Sequence, residues 1–253
     1  MESSGGTTGS ASTERGEKDD AEPIALGVLR AAGDSVLKPA QLAVEHEGPA
    51  IALVAQRVAD AIVDEKKVFT FGAGHAQFFA LELFSRAGGL PWFQAISLED
   101  IRSDKRDAWV QMRDSLPERD PANAEVLLDY AGVKPGDVVL IASNSGRNGA
   151  IVEMALECVQ RGVFVAGFTS VAHSQAFPSR HPSGKRLMEI VDVVVDNHCP
   201  VGDATVEIPG VGTACASSTA SYAVLAQMVN RGVIESLVNR GFPVTATVSG
   251  NVK

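Results

Sequence analysis

The sequence is poor in cysteine and in long apolar runs. Its three cysteines are odd in number and irregularly spaced, so they form no disulfide framework and match no zinc-ribbon pattern. These cysteines are Cys158, Cys199 and Cys215. We find no secretory leader and no apolar run long enough to span a bilayer. We therefore expect a cytoplasmic protein without a membrane partner.

Basic residues and aromatic side chains are also scarce. The chain has 22 Lys and Arg against 31 Asp and Glu, a formal net charge of −9, and aromatic residues make up 6% of it. An acidic surface repels nucleic acid, so we expect no nucleic-acid partner. A phosphate site remains compatible with this charge, because backbone N–H groups supply a local positive potential.

Apolar residues, by contrast, make up 45% of the 253 residues, and they are mostly small or branched. This composition is typical of α/β layers and is sufficient for one sizeable core. Residues 1–22 are mostly Ser, Gly, Thr and charged residues, which cannot bury apolar surface, so we expect a disordered arm. Residues 23–253 are expected to form one domain.

Strand-like and helix-like patterns alternate along the chain. Short apolar runs predict strands at 68–71, 92–96, 138–142, 163–168 and 190–195. Three- and four-residue spacing predicts helices at 23–41, 51–62, 76–86, 123–130, 148–161 and 213–239. Two polar segments, 97–121 and 173–186, are expected to be loops, the first carrying part of an active site. The alternation predicts a three-layer, doubly wound α/β/α fold with a mostly parallel, flavodoxin-like sheet.

The first predicted strand ends in a glycine-rich turn, GAGHAQ, at residues 72–77. Glycines allow a ligand to approach the backbone closely, and the helix that follows offers free N–H groups to an anion. Gly74 and His75 are therefore candidate binding residues. A dinucleotide fingerprint would need a third glycine where Gln77 stands. A tight turn that binds nothing is the alternative interpretation.

The third predicted strand ends in a polar turn, SNSGRN, at residues 143–148. Hydroxyl groups and successive N–H groups at a helix start can surround a phosphate. Helix capping by Ser145 or Asn148 is the alternative, although capping needs only one such side chain. No Walker A glycine precedes either turn or the Ser-Gly-Lys at 183–185. Candidate binding residues in this turn are Ser143, Asn144, Ser145, Gly146, Arg147 and Asn148.

The carboxyl ends of parallel strands meet at one edge of a sheet, where such folds bind ligands. The two turns together therefore predict a site for one phosphorylated small molecule.

The segments GAGHAQFFALELFSRAGGLP and VVLIASNSGRNGAIVE resemble the sugar isomerase (SIS) domain family. That family includes phosphoheptose isomerase, the isomerase half of glucosamine-6-phosphate synthase and N-acetylmuramic acid 6-phosphate etherase. The resemblance covers roughly residues 51–238 and is strongest to proteins with a single SIS domain. It implies a sugar-phosphate ligand, and it implies neither a cofactor nor a metal.

Several residue roles follow from this resemblance. It implies that Ser143, Ser145 and Asn148 hold the phosphate. The family often has Ser where this chain has Ala76, so the first turn is expected to contribute backbone groups and its histidine. Arg147 is unusual for the family and can add a charge-assisted contact. The family usually works as dimers or dimers of dimers, which implies a homodimer or homotetramer here.

Three side chains are candidates for moving protons, since a carboxylate base and a second acid can rearrange a sugar without a metal. Glu82, on the helix after the first turn, resembles the helix glutamate of phosphoheptose isomerase and of the etherase. Glu99 lies eight residues after Pro91, the spacing of the basic glutamate in glucosamine-6-phosphate synthase. His181 is a candidate general acid, with His198 as its alternative.

Ordinary roles compete with each of these assignments. Either glutamate can be a solvated surface carboxylate, and most histidines are structural or exposed. A zinc site formed by Asp196, His198 and Cys199 is a further alternative, although their spacing matches no standard ligand pattern.

Two classes of function follow from the site. The first is an enzyme that removes the C2 proton of a hexosamine 6-phosphate. Reprotonation at C1 makes it an isomerase, whereas loss of a group from C3 makes it a lyase. An N-acyl group on C2 blocks ketose formation, so the resemblance to the etherase favours an N-acetylglucosamine 6-phosphate-type lyase. The second is a non-catalytic phosphosugar sensor that acts on a protein partner.

Overall fold

The structure is a computed structural model that describes residues 24–101 and 117–252. The predicted arm at 1–22 and much of the predicted loop at 97–121 lie outside the described residues.

A five-stranded parallel sheet forms the middle layer. Its strands are β1 (Val68–Gly72), β2 (Phe93–Ile96), β3 (Val138–Ala142), β4 (Phe164–Thr169) and β5 (Val193–Asp196). They lie in the order β2-β1-β3-β4-β5, and each neighbouring pair is parallel. The direction of strand addition reverses between β1 and β3, as in flavodoxin-like sheets. The predicted α/β class is confirmed.

Helices cover both faces of this sheet. One face carries α1 (Leu26–His46), α2 (Gly48–Val63), α3 (Gln77–Leu83) and α7 (Ser218–Asn239). The other carries α4 (Ala122–Ala131) and α5 (Gly149–Gln160), and a short helix, α6 (Val171–Ala176), follows β4. Within residues 24–101 and 117–252, no helix has the length and apolar character that crossing a membrane requires.

Strand β3 shows why the sequence pattern was informative. Its residues alternate between the two cores: Leu140 packs on the α2 and α7 side, and Ile141 on the α4 and α5 side. A strand buried on both faces is apolar throughout, so it appears in the sequence as a short unbroken run.

The C-terminal part differs from the prediction. Strands β6 (Ala204–Ile208) and β7 (Gly212–Ala216) form an antiparallel hairpin where the sequence predicts the start of a helix at 213. Helix α7 begins only at Ser218. The Asp203 carboxylate accepts hydrogen bonds from the N–H groups of Ser217 and Ser218, at 3.1 and 2.7 Å, and so satisfies the helix start.

Candidate functional site

The two predicted turns lie side by side at the carboxyl edge of the sheet. Gly72 pairs with Ala142 across β1 and β3, so both turns leave the sheet at the same level. A Cβ atom at Gly72 would collide with the carbonyl of Ala76, which is why the first turn needs glycine there. Gly74 adopts a left-handed φ of +58° and is exposed together with His75.

Internal hydrogen bonds fix the shape of the second turn. The buried Ser143 hydroxyl accepts a hydrogen bond from the Gly146 N–H at 3.1 Å, and Gly146 has a φ of +58°. The Asn144 carbonyl accepts from the Thr169 hydroxyl at 3.2 Å, and its side-chain oxygen accepts from the Asn197 amide at 2.8 Å. Ser143 and Asn144 therefore hold the turn, and Ser145 is half-buried beside them.

Asn148 stands at the N-cap position of α5, but its side chain does not cap the helix. Its amide donates to a Glu118 carboxylate oxygen at 3.1 Å, and its amide oxygen accepts from Arg180 Nη1 at 2.8 Å. The alternative prediction that the Asn148 side chain caps α5 is therefore wrong. The first N–H groups of α5 receive no cap from Asn148, which is the arrangement that binds an anion at a helix start.

Three arginines gather around this turn. Burial lowers the pKa of half-buried Arg147, and the nearby guanidinium groups of Arg180 and Arg119 lower it further. The Arg147 guanidinium also lies 5.3 Å from the centre of the Phe177 ring. Its Nε atom is buried and has no hydrogen-bond partner among the described residues. A partly buried cation that two neighbouring cations repel favours an anionic ligand.

Glu118 is a carboxylate that the sequence analysis did not single out. One of its carboxylate oxygens binds Asn148, and the other lies 4.0 Å from where a Cβ atom would stand on Gly74. The carboxylate therefore lies between the two turns.

The segment that carries Glu118 approaches closely at Gly149, where a Cβ atom would collide with the Arg119 carbonyl. The sequence signals that could have found these residues are the charges in the two polar loops at 97–121 and 173–186.

Glu82 lies elsewhere. Its carboxylate forms an ion pair with Arg86 and accepts a hydrogen bond from the Gln227 amide at 2.8 Å. The side chain is 18% exposed and lines a groove of about 960 Å³ between α2 and α7. These polar partners lie on the α3 and α7 side of the sheet, and neither belongs to the turns at 72–77 and 143–148.

Glu99 follows β2 at the same edge as the two turns. The residue is exposed, and its N–H donates to the Ser97 hydroxyl at 3.1 Å. Because β2 pairs directly with β1, Glu99 belongs to the rim of the site.

Both histidine candidates are engaged by glutamates. His181 Nε2 lies 2.6 Å from a Glu153 carboxylate oxygen, and its Nδ1 accepts a hydrogen bond from the Ser183 N–H at 3.1 Å. His198 Nε2 lies 2.9 Å from a Glu47 carboxylate oxygen. The structure therefore leaves neither Nε2 atom free of a protein partner.

The zinc alternative gains no support from the geometry. Burial raises the pKa of the Cys199 thiol to about 12, so without a metal ion the thiol is protonated at neutral pH. In the two described ranges, no group of three or more His, Cys, Asp or Glu side chains could hold a metal ion.

This parallel sheet, with a polar turn where its strand order reverses, defines an α/β protein of the doubly wound class, whose members commonly bind ligands at that switch point. The family model of the SIS domain matches residues 34–170, which include both turns. The chain belongs to the SIS domain family. A UPF0309 protein of Halalkalibacterium halodurans is 36% identical over 209 residues, covering 82% of this chain and 85% of that protein.

Solved structures with the same fold are more distant in sequence. A phosphoheptose isomerase from Neisseria gonorrhoeae superposes with a TM-score of 0.55 at 15% identity, covering 83% of this chain and 98% of that one. The Vibrio vulnificus NanR protein, solved in complex with ManNAc-6P, gives a TM-score of 0.51 at 15% identity, covering 85% of this chain and 63% of that one. The fold is thus shared with a phosphosugar isomerase and with a phosphosugar-binding protein.

Proposed function

We propose that the protein binds an aminosugar 6-phosphate at the carboxyl edge of its sheet and removes the proton from C2 of the sugar. The observation that carries the proposal is the convergence of Arg119, Arg147 and Arg180 on the turn that leads into α5. A phosphate there would accept charge-assisted hydrogen bonds from guanidinium groups and from the N–H groups of the helix start.

The charge of this cluster suits a phosphate monoester. The cluster combines three guanidinium groups with one carboxylate, Glu118, so it carries a net charge of about +2. A phosphate monoester carries between one and two negative charges near neutral pH. Its binding would relieve the repulsion that lowers the pKa of Arg147.

Glu118 is the carboxylate that we propose as the base. It lies between the two turns, within reach of a sugar whose phosphate rests on the second turn. Glu82 is held by Arg86 and Gln227, which leaves it less suited to accept a proton. Glu99 on the rim is the second candidate.

Among the outcomes of C2 deprotonation, we favour β-elimination. The base takes the C2 hydrogen of the open-chain aldehyde, a C2–C3 double bond forms, and the C3 hydroxyl leaves as water after protonation. An N-acyl group on C2 prevents formation of a ketose, and the NanR protein, which shares the fold, was solved in complex with ManNAc-6P, which supports an N-acylated sugar phosphate as the ligand. Aldose–ketose isomerisation by the same base is the alternative for a sugar without the acyl group.

A phosphosugar sensor without catalysis is the second candidate function. It is favoured by the engagement of Glu82 and His181, two of the predicted catalytic residues, with protein partners. In that case the arginine cluster binds the phosphate and no bond of the sugar changes.

Proton exchange separates the two functions. We expect N-acetylglucosamine 6-phosphate, incubated with the protein in deuterated buffer, to exchange or lose its C2 hydrogen, as followed by proton NMR. Glu118→Gln keeps an acceptor for Asn148 but removes the base, so the rate should fall about a hundredfold to ten-thousandfold.

Two variants serve as comparisons. Glu125→Gln changes an exposed carboxylate on α4 and should leave the rate unchanged. Glu82→Gln should retain most of the rate; if it alone abolishes exchange, Glu82 is the base. A sugar that binds but keeps its C2 hydrogen would support the sensor function instead.

A further inference from the structure

A tightly bonded histidine fastens the loop at residues 179–186 to helix α5. The His181 side chain is 7% exposed, and its Nε2 lies 2.6 Å from a carboxylate oxygen of Glu153, one turn into α5. The loop side of the ring is bonded as well. Nδ1 accepts the Ser183 N–H at 3.1 Å and lies 2.8 Å from the Ser183 hydroxyl oxygen.

These contacts determine which ring nitrogen carries the proton. A backbone N–H can only donate, so Nδ1 acts as an acceptor towards Ser183. The hydrogen on the ring therefore lies on Nε2 and is donated to Glu153. Because both ring nitrogens are hydrogen-bonded within the protein, neither can bind a substrate while the loop at 179–186 stays attached to α5.

The residue before this histidine belongs to the arginine cluster. The backbone N–H of Arg180 donates to the Arg147 carbonyl at 2.9 Å, and its Nη1 donates to the Asn148 amide oxygen at 2.8 Å. Arg180 itself is exposed, so little packing restrains its side chain. A long exposed side chain loses conformational entropy when a ligand fixes it. A backbone that is already held in place lowers the entropy cost of binding, because only the side chain still has to be ordered.

We infer that His181 and Glu153 form a positioning pair that holds Arg180 over the phosphate site. The identity of the ligand in this inference rests on the proposed function. The attachment of the loop to α5 is independent of that function. His181 contributes by placing a guanidinium group, not by transferring a proton to the sugar.

A double-mutant cycle tests the pair, with N-acetylglucosamine 6-phosphate and inorganic phosphate as probes and calorimetry as the measurement. We expect His181→Ala and Arg180→Ala each to weaken binding by about tenfold to a hundredfold, the value of a charge-assisted hydrogen bond. The double variant should bind no more weakly than Arg180→Ala alone, because the histidine acts through the arginine.

The partner glutamate provides a second test. Glu153→Ala should reproduce the loss seen for His181→Ala, and Glu153→Gln should restore most of the affinity because its amide oxygen still accepts the Nε2 proton. His46→Ala is the matched control, since His46 lies in an exposed pair with Glu45 on α1. It should leave binding unchanged. Additive losses in the cycle would overturn the inference.

Amide hydrogen exchange decides the question even without a ligand. The Arg180 N–H, bonded to the Arg147 carbonyl, should exchange faster in His181→Ala than in the parent, while amides of β3 keep their protection. If the parent binds neither probe, the proposed function fails and this measurement alone judges the pair. Unchanged exchange at Arg180 would show that His181 does not anchor the loop.

Discussion

Arg147 shows at the scale of one residue how the site is prepared for an anion. Its guanidinium is half-buried above the Phe177 ring, and Arg180 and Arg119 lie near enough to lower its pKa. A cation in this position is desolvated and repelled at the same time, and both effects are unfavourable to its charge. A phosphate bound there would offset both costs by charge attraction, so we expect Arg147 to contribute more to ligand binding than to folding.

The glutamates show how the surroundings of a side chain limit its chemistry. Glu82 has an ion-pair partner and a hydrogen-bond donor, so a proton arriving there must compete with both. Glu118 has one neutral amide donor on one oxygen and faces Gly74 with the other. The second arrangement leaves an acceptor available, which is what a general base requires.

At the scale of elements, the site depends on the close approach of the 117–119 segment to the first turn of α5. Gly149 allows this approach, because a Cβ atom there would collide with the Arg119 carbonyl. The glycine thus allows the segment with Glu118 and Arg119 to lie against the first turn of α5.

We predict that Gly149→Ala weakens phosphosugar affinity about tenfold or more and lowers the free energy of unfolding by about 1–3 kcal/mol, the usual cost of forcing a backbone shift. Calorimetry and denaturant unfolding measure the two effects. Gly33→Ala, in α1 with open space around it, is the control and should slightly stabilise the protein without changing affinity. Unchanged affinity in Gly149→Ala would show that the segment is not part of the site.

The sequence is sufficient to predict those helices and strands whose apolar residues recur with a regular spacing. The bounds of β3 were predicted to the residue, since the strand is apolar on both faces and ends at a polar turn. The hairpin of β6 and β7 was missed. Its second strand, GTACA, is mostly exposed and is followed closely by the small residues of α7. The spacing of apolar residues therefore does not show where the strand ends and the helix begins. The contact of Asp203 with the helix start, 15 residues away in sequence, marks that boundary in the structure.

At the scale of the whole molecule, the site joins segments that are distant in the chain. Both turns could be predicted because a strand, a polar turn and a helix follow one another locally. Glu118, Arg119 and Arg180 could not, because their positions depend on long connections that local patterns do not determine. The Asn148 side chain, which bonds both Glu118 and Arg180, ties these segments together.

We predict that the protein assembles as a homodimer or homotetramer. Residues 213–216, predicted as the start of the last helix, belong to strand β7 and so offer no helix surface for an interface. The exposed apolar side chains of α3 support assembly. Phe78 and Leu81 are 48% and 49% exposed beside the groove between α2 and α7. Leu81→Lys should dissociate the assembly, and Val126→Lys on α4 serves as the control. A monomeric parent in light scattering at micromolar concentration would contradict the prediction.

We propose that this acidic protein binds a phosphorylated sugar through the basic edge of its sheet. Calorimetry with N-acetylglucosamine 6-phosphate and with N-acetylglucosamine tests it most directly. We predict that the phosphorylated sugar alone binds, and that Arg147→Ala weakens its binding by about tenfold to a hundredfold. Arg57→Ala, which removes an arginine 5.1 Å from the Phe164 ring at the opposite end of the sheet, should bind like the parent. Equal affinity for both sugars, or undiminished binding by Arg147→Ala, would contradict the account.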